Sequence, residues 1–266
     1  MKITVVKVGG AIVEDEMQLH RLLDDFTAIE GPKVLVHGGG RRATKVAAAL
    51  GIESHMIGGR RITDAAMLDV VTMVYGGLVN KHLVALLQAR GLNAAGLTGA
   101  DMNVIRSHRR PLKKVVADGE EKMVDFGFVG DVDSVDAEAL VTLLEKGVTP
   151  VIAPLTHDGQ GNMLNTNADT MASETAKALA KAHDVTLIFS FEKKGVLSNP
   201  DDDDSVIPVI TESSFRRYRD EGVISGGMLP KIENALEAVA QGVEKVVITL
   251  ATAIASDEGT KIVAEN

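Results

Sequence analysis

The sequence predicts an α/β fold, with a mainly parallel sheet covered by helices on both faces. Two observations carry this. Short β-branched runs alternate along the chain with segments of helical periodicity, and the first two runs close on the glycine clusters Gly9-Gly10 and Gly38-Gly39-Gly40. The composition then sets the core. Of 266 residues 45% are apolar, yet only 3% are aromatic and none is tryptophan, so Val, Ile, Leu, Ala and Met must fill it.

Taken in order, Ile3–Val8 reads as a buried strand. Leu19, Leu22, Leu23 and Phe26 follow at i, i+3, i+4 and i+7, which is one face of a helix. Lys33–His37 is a second strand and Arg41–Leu50 a second helix. Thr63 is placed to cap a long helix running to about Ala89, with Gly91 as its stop. Next come a short apolar segment at Ala94–Leu97, a polar hairpin-like region from Val104 to Phe128, and a helix across Asp136–Lys146. A strand at Thr149–Ala153 precedes a turn at His157-Asp158-Gly159. The second half repeats the logic, with a helix over Ala168–Ala182, a strand at Val185–Phe191, helices at Ser213–Glu221 and Met228–Gln241, and strands at Lys245–Leu250 and Thr260–Val263. No Ser/Gly/Pro linker divides the chain, and the seam falls near Asp184, where a polar turn precedes a new strand. The acidic run Asp201–Asp204 reads as a solvated loop.

Charge and composition exclude several classes of function. Lys and Arg number 28 against 37 Asp and Glu, a net charge of −9, which speaks against a nucleic-acid partner. Without cysteine there is no disulfide, cysteine-zinc site or thiol nucleophile. Met1–Val8 runs too quickly into glycine to be a signal peptide, and no apolar stretch reaches the ~20 residues that cross a bilayer. The expectation is a soluble cytoplasmic protein without a membrane partner. The 7 histidines are scattered without ligand spacing, so no protein-bound metal is expected. Nucleophile-elbow, Walker-type and protein-kinase motifs are absent. Gly38-x-Gly40-x-x-Ala43 partly fits a dinucleotide fingerprint. The zone about 20 residues on, Ser54–Arg61, is polar and glycine-broken, which argues against nicotinamide or flavin.

Candidate chemistry gathers at the glycine turns. In a parallel sheet these lie at the carboxyl ends of strands, where ligands bind, and glycine lets backbone N–H groups close on phosphate oxygens. Gly9-Gly10, Gly38–Gly40 and Gly226-Gly227 are the three clusters. Lys7, inside an otherwise apolar strand, either snorkels out at the strand end or holds a cation at the glycine loop for a phosphate. Lys231, at a helix start, is either a surface lysine or a second cation for an anion. Asn165-Thr166-Asn167-Ala168-Asp169 supplies either helix caps or ligand-holding amides and a carboxylate. Arg61 is either a surface residue or a bidentate carboxylate clamp.

Together, Val6-Lys7-Val8-Gly9-Gly10, His37-Gly38-Gly39-Gly40, Arg61-Ile62-Thr63, Asn165–Asp169, Gly226-Gly227-Met228 with Lys231, and Gly259-Thr260-Lys261-Ile262 resemble the amino acid kinase family, over about residues 3–263. The resemblance implies an open αβα sandwich of two lobes. Residues 1–183 would bind an N-acyl-L-glutamate and carry the dimer contact, and residues 184–266 would bind ATP. The implied reaction is phosphorylation of the γ-carboxylate, with Mg2+ arriving on the ATP. The alternatives are an N-succinyl-L-glutamate acceptor, suggested by the basic stretch Arg106 and His108-Arg109-Arg110, and a non-catalytic amino-acid or nucleotide sensor. By the resemblance, Lys7 and Lys231 stabilise the phosphoryl in flight and Asp169 organises both. Gly39, Gly40, Arg61 and Asn165 hold the acyl-glutamate. Gly9, Gly10, Gly38, Glu192, Gly195, Gly226 and Gly227 hold phosphate and ATP. Glu192 stands where the family more often has aspartate. The first strand begins almost at Met1, so the extra N-terminal helix usual in arginine-inhibited members is not expected, and a homodimer is expected over a hexamer.

Overall fold

The computed structural model describes residues 1–117, 120–256 and 258–265. Its centre is an eight-stranded sheet: β1 (Lys2–Val8), β2 (Lys33–His37), β3 (Ala94–Leu97), β4 (Thr149–Ile152), β5 (Asp184–Phe191), β6 (Val209–Ile210), β7 (Lys245–Leu250) and β8 (Thr260–Ile262). The spatial order is β6-β8-β7-β5-β1-β2-β4-β3, and every neighbouring pair is parallel except β7 with β8. The chain builds outward from β1 to one side through β2, then returns to the other side at β5. β1 is therefore the switch point of the sheet, the place where a crevice opens beyond the strand ends. The sheet runs unbroken past Asp184, since β5 pairs directly with β1.

Alternation within β1 sorts its side chains onto two cores. Ile3 and Val5 join one cluster, with Met171, Ala172, Ile232 and Ala235 from two covering helices. Val6 and Val8 join the other, with Leu19, Leu22, Leu23 and Phe26. Each fully buried side chain of this size contributes about 1.5–3 kcal/mol. Parity places Lys7 on the Ile3 and Val5 face, one step beyond the apolar core, and this single fact aims it at the helices that cover that face.

The helices are α1 (Gly10–Glu14), α2 (Glu16–Ala28), α3 (Gly40–Ala49), α4 (Ala65–Gln88), α5 (Ala137–Glu145), α6 (Ala168–Ala180), α7 (Glu212–Asp220) and α8 (Met228–Ala240). The middle of α4, Thr72–Val79, is wound as a π-helix. Where a helix needs only to start, a side chain caps it: Asp15 for α2, Asp64 for α4, Asp136 for α5, Asn167 for α6 and Thr211 for α7. By contrast α1, α3 and α8 begin at Gly9, Gly39 and Gly227 with no side-chain cap.

Three sequence expectations change. The cap of α4 is Asp64, which accepts from the Met67 amide at 2.8 Å, not Thr63. Thr63 is instead held as extended backbone, its N–H on the Phe126 carbonyl and its carbonyl on the Phe128 amide, so it stops one residue short of the helix. The expectation that no apolar stretch is long enough to cross a bilayer also changes, because α4 is apolar enough over 24 residues. Asp69, Lys81 and His82 hide that run in the sequence, and Met67, Val70, Val71, Val74, Leu83 and Leu87 bury its inner side in the second core. Finally, the hairpin-like region holds Lys113–Ala117 against Glu120–Val124, while Ile105–Arg109 pairs with Gly130–Val135, a strand the periodicity did not mark. That pair continues through Leu155–His157 to Met163–Asn165, a second small sheet that delivers the chain to the start of α6.

Gly127 joins this small sheet to Thr63. Its φ is +71°, and an added Cβ would lie 2.2 Å from the Thr63 carbonyl oxygen. Gly127→Ala is expected to cost at least ~2 kcal/mol of unfolding free energy in a urea titration, since both strain and a backbone clash are introduced. A loss within ~0.5 kcal/mol would contradict this packing.

Candidate active site

Lys7 leaves β1 on the face covered by α6 and α8, and its Nζ lies 2.8 Å from Asp169 Oδ1. Asp169 is in the first turn of α6 because Asn167 caps that helix, accepting from the Asp169 and Thr170 amides at 2.8 and 3.1 Å. Lys231 enters from the first turn of α8, with Nζ 3.9 Å from the centre of the Phe191 ring. Burial pushes its ammonium below the ordinary lysine range; the Asp169 charge opposes this and the Lys7 charge adds to it. Lys7 is thus paired with Asp169, and Lys231 lies near enough to feel both charges. Both lysines, Asp169 and Asn234, one turn beyond Lys231, line a small cavity.

This cavity adjoins a cleft of about 360 Å³ lined by Lys7, Gly9, Gly10, Gly40, Arg41, Ser190, Glu192 and Lys231. Further out lies a wider hollow of about 630 Å³ between α1, Glu192 and Leu250–Thr252. The glycine turns of β1 and β2 are nested: an added Cβ on Gly38 would lie 3.0 Å from the Gly10 nitrogen, and one on Gly10 would lie 3.3 Å from the Gly39 nitrogen. Gly39 also rests on a ring, since its Cβ would be 2.8 Å from Tyr75 Cδ1. Side chains are excluded here by backbone and ring, which leaves the uncapped amides of α1 and α3 facing the cleft. Such orphan donors, with the helix dipole behind them, suit phosphate oxygens.

Other predicted residues fall less directly. Arg61 donates from Nη1 to Ser54 Oγ at 2.9 Å and from Nη2 to the Gly40 carbonyl and Thr44 Oγ1 at 3.0 and 2.8 Å, so it braces its own hairpin on the first turn of α3. Asn165 is nearly buried and donates to Thr63 Oγ1 at 2.9 Å. Glu192 reaches across the cleft to Arg41 at 3.8 Å, with 65% and 66% of the two side chains exposed, a geometry worth little in water. Gly195 lies outside the cleft lining and packs on Thr260, whose Oγ1 accepts from the Val196 amide at 2.8 Å. Gly226 and Gly227 have open space around them at the start of α8. In the basic stretch, His108, Arg109 and Arg110 are each engaged by an aspartate, Asp133, Asp125 and Asp131 respectively. Asp203 and Asp204 pair with Lys193 and Lys194 on an exposed loop, as the solvated reading of that run expects.

The sequence did not mark Arg41, Tyr75, Asn234 or the role of His37. His37 belongs to the glycine motif, and it is fully buried. Its Nδ1 lies 2.9 Å from the Gly38 carbonyl and its Nε2 lies 3.1 Å from Asn80 Nδ2. Among the described residues no group of three or more His, Asp or Glu converges as a metal cage.

The model of the amino acid kinase family matches residues 2–250. The chain belongs to the amino acid kinase family. Within it, an acetylglutamate kinase from Bacteroides thetaiotaomicron is 67% identical over 261 residues, 98% of each chain. Among solved structures, smu.665 from Streptococcus mutans is 29% identical, with TM-score 0.74 and 99% of each chain covered. A Giardia carbamate kinase, 14% identical with TM-score 0.68 and 99% of each chain covered, shares the fold.

Burial holds His37 at a pKa of about 4, against 6.5 for a free histidine, with the bond to the Gly38 carbonyl opposing the shift. A pKa lowered on folding adds stability that is complete above pH 6.5 and is lost as the pH falls toward 4. At about 1.4 kcal/mol per unit, His37 should account for up to ~3 kcal/mol of that loss. Urea titrations at pH 7, 5.5 and 4 should show a shallower fall for His37→Asn than for the parent chain. Parallel falls would contradict the assignment.

Proposed function

We propose that the protein transfers the γ-phosphoryl of ATP to the γ-carboxylate of N-acetyl-L-glutamate, the step its relatives' name denotes, in arginine biosynthesis. The observation that carries this reading is the gathering of two lysines and one carboxylate around a single small cavity, beside glycine-started, uncapped helices at the switch point of the sheet. The identity to acetylglutamate kinases supports the acceptor.

The chemistry fits that constellation. The acceptor carboxylate is ionised at neutral pH, so no general base is required. One carboxylate oxygen attacks the γ-phosphorus in line, an O–P bond forms, the bond to the β,γ-bridging oxygen breaks, and ADP leaves with that electron pair. The need is positive charge and positioning around the phosphoryl. Lys7 and Lys231 supply the charge, Asp169 holds them at a common point, and the amides at Gly10, Gly39 and Gly40 supply donors. Magnesium comes bound to the nucleotide phosphates and neutralises them. In this reading Arg61 and Asn165 shape the acyl-glutamate side within residues 1–183, and residues 184–266 hold the nucleotide through Lys231, Gly226 and Gly227. The cellular setting is the cytoplasm. A homodimer fits the outer side of α4, where Met73 and Leu78 stand 54% and 49% exposed.

An acceptor whose acyl group carries its own carboxylate, such as N-succinyl-L-glutamate, has one supporting observation: Arg106, packed beside Gly159, has no acidic partner among the described residues. A coupled ADP-release assay with both acyl-glutamates tests the reading, with turnover on N-acetyl-L-glutamate expected. A folded, ATP-binding protein that is silent on both would overturn it and leave a sensor. Lys7→Ala and Lys231→Ala should each lower kcat by about 10²–10³ while shifting the KM for ATP far less, because their charges act on the transition state. An unchanged kcat in either variant would contradict its assigned role.

A further inference from the structure

His37 closes β2, is wholly buried, and touches nothing in the cleft, yet both its ring nitrogens are engaged. The protonation is set by its neighbours. Asn80 Nδ2 donates to the Val151 carbonyl at 2.9 Å, so that atom is the amide nitrogen. It can only donate to His37 as well, so Nε2 accepts and Nδ1 carries the proton. Nδ1 therefore donates to the Gly38 carbonyl at 2.9 Å.

That bond has a consequence on the opposite side of the same peptide. In a planar trans peptide the C=O of Gly38 and the N–H of Gly39 point in opposite directions. Holding the oxygen inward on His37 turns the Gly39 N–H outward, away from the core. The Gly39 nitrogen then lies beside Gly10, where an added Cβ would be 3.3 Å from it, and it has no acceptor among the described residues. The flanking peptides are held by backbone bonds, Gly38 N–H on the Val8 carbonyl at 2.9 Å and the Gly39 carbonyl on the Ala43 amide at 3.0 Å, and His37 is the side chain bonded to the peptide between them. We infer that His37 is a positioning residue for phosphoryl transfer: by gripping the Gly38 carbonyl it aims the Gly39 amide N–H into the cleft at the transferring phosphoryl. This rests on the phosphoryl-transfer reading above.

Two isosteric substitutions in the full chain separate the bonds. Asparagine can place a donor where Nδ1 sits, and glutamine can reach where Nε2 sits but offers nothing to Gly38. His37→Asn is expected to keep kcat within about 5-fold of the parent. His37→Gln is expected to lower kcat by about 30-fold or more with either KM changed less than about 3-fold, a fraction of what loss of a whole oxyanion donor costs. The ¹H–¹⁵N resonance of Gly39 should move in His37→Gln and stay close to its parent position in His37→Asn. Equal kcat in both variants, or equal losses that follow melting temperature, would overturn the inference. If His37→Gln does not fold, Asn80→Ala carries the test, with an expected kcat loss of about 3–10-fold and an unchanged kcat overturning it. If the parent chain turns over neither acyl-glutamate, the functional reading fails by itself, and an unmoved Gly39 resonance in His37→Gln still overturns the positioning role.

Discussion

A lysine at the penultimate position of a central buried strand is the constraint around which the site is arranged. Lys7 shares a face with Ile3 and Val5, so its stem follows the apolar core and its ammonium emerges where that core ends. A charge so placed is costly without a counter-charge. Asp169 supplies it at 2.8 Å, and it can do so only because Asn167 starts α6 at that spot. Lys231 then joins a pair that is already formed. Its lowered proton affinity reflects its burial, which the Asp169 charge opposes more strongly than the Lys7 charge reinforces it. A cluster with more positive than negative charge is poised for an anionic ligand.

The distribution of helix caps follows the same logic. Five helices are closed by Asp, Asn or Thr side chains, whereas α1, α3 and α8 begin at glycine and leave their first amides open. Two of the three open starts follow strands adjacent at the switch point, and Gly10 and Gly38 there are packed backbone to backbone, with little room for a side chain. A chain with no cysteine and a net charge of −9 thus builds an anion site from amides and a few placed cations. Its binding power comes from desolvation and orientation in one cleft, whatever the sign of the surface as a whole.

Much of this was legible in the sequence because hydrophobic period and glycine placement are local signals. Leu19, Leu22, Leu23 and Phe26 predicted α2, and the β-branched runs predicted the central strands. The glycine turns, Lys7, Asp169 and Lys231 pointed to the cleft that the fold assembles. What escaped was nonlocal. Thr63 looks like a cap until its backbone is seen paired with Phe126 and Phe128, which lets Asp64 take that role. Gly130–Val135 carries two aspartates and a serine, so its pairing with Ile105–Arg109 leaves no apolar alternation to read. Gly195 resembles a loop glycine for a nucleotide, yet its missing side chain makes room for Thr260, more than 60 residues away in sequence. His37 sits in plain view within a glycine motif, but only burial and the Asn80 contact show what it holds.

The central claim is that Lys7 and Asp169 act as one unit on the transferring phosphoryl. A double-mutant cycle in kcat with Lys7→Ala, Asp169→Asn and the double variant tests it most directly. Residues that act as a unit lose function together, so the double variant should be little worse than the more damaged single one. A double variant whose loss equals the product of the two single losses would show that the residues act independently, and would contradict the account.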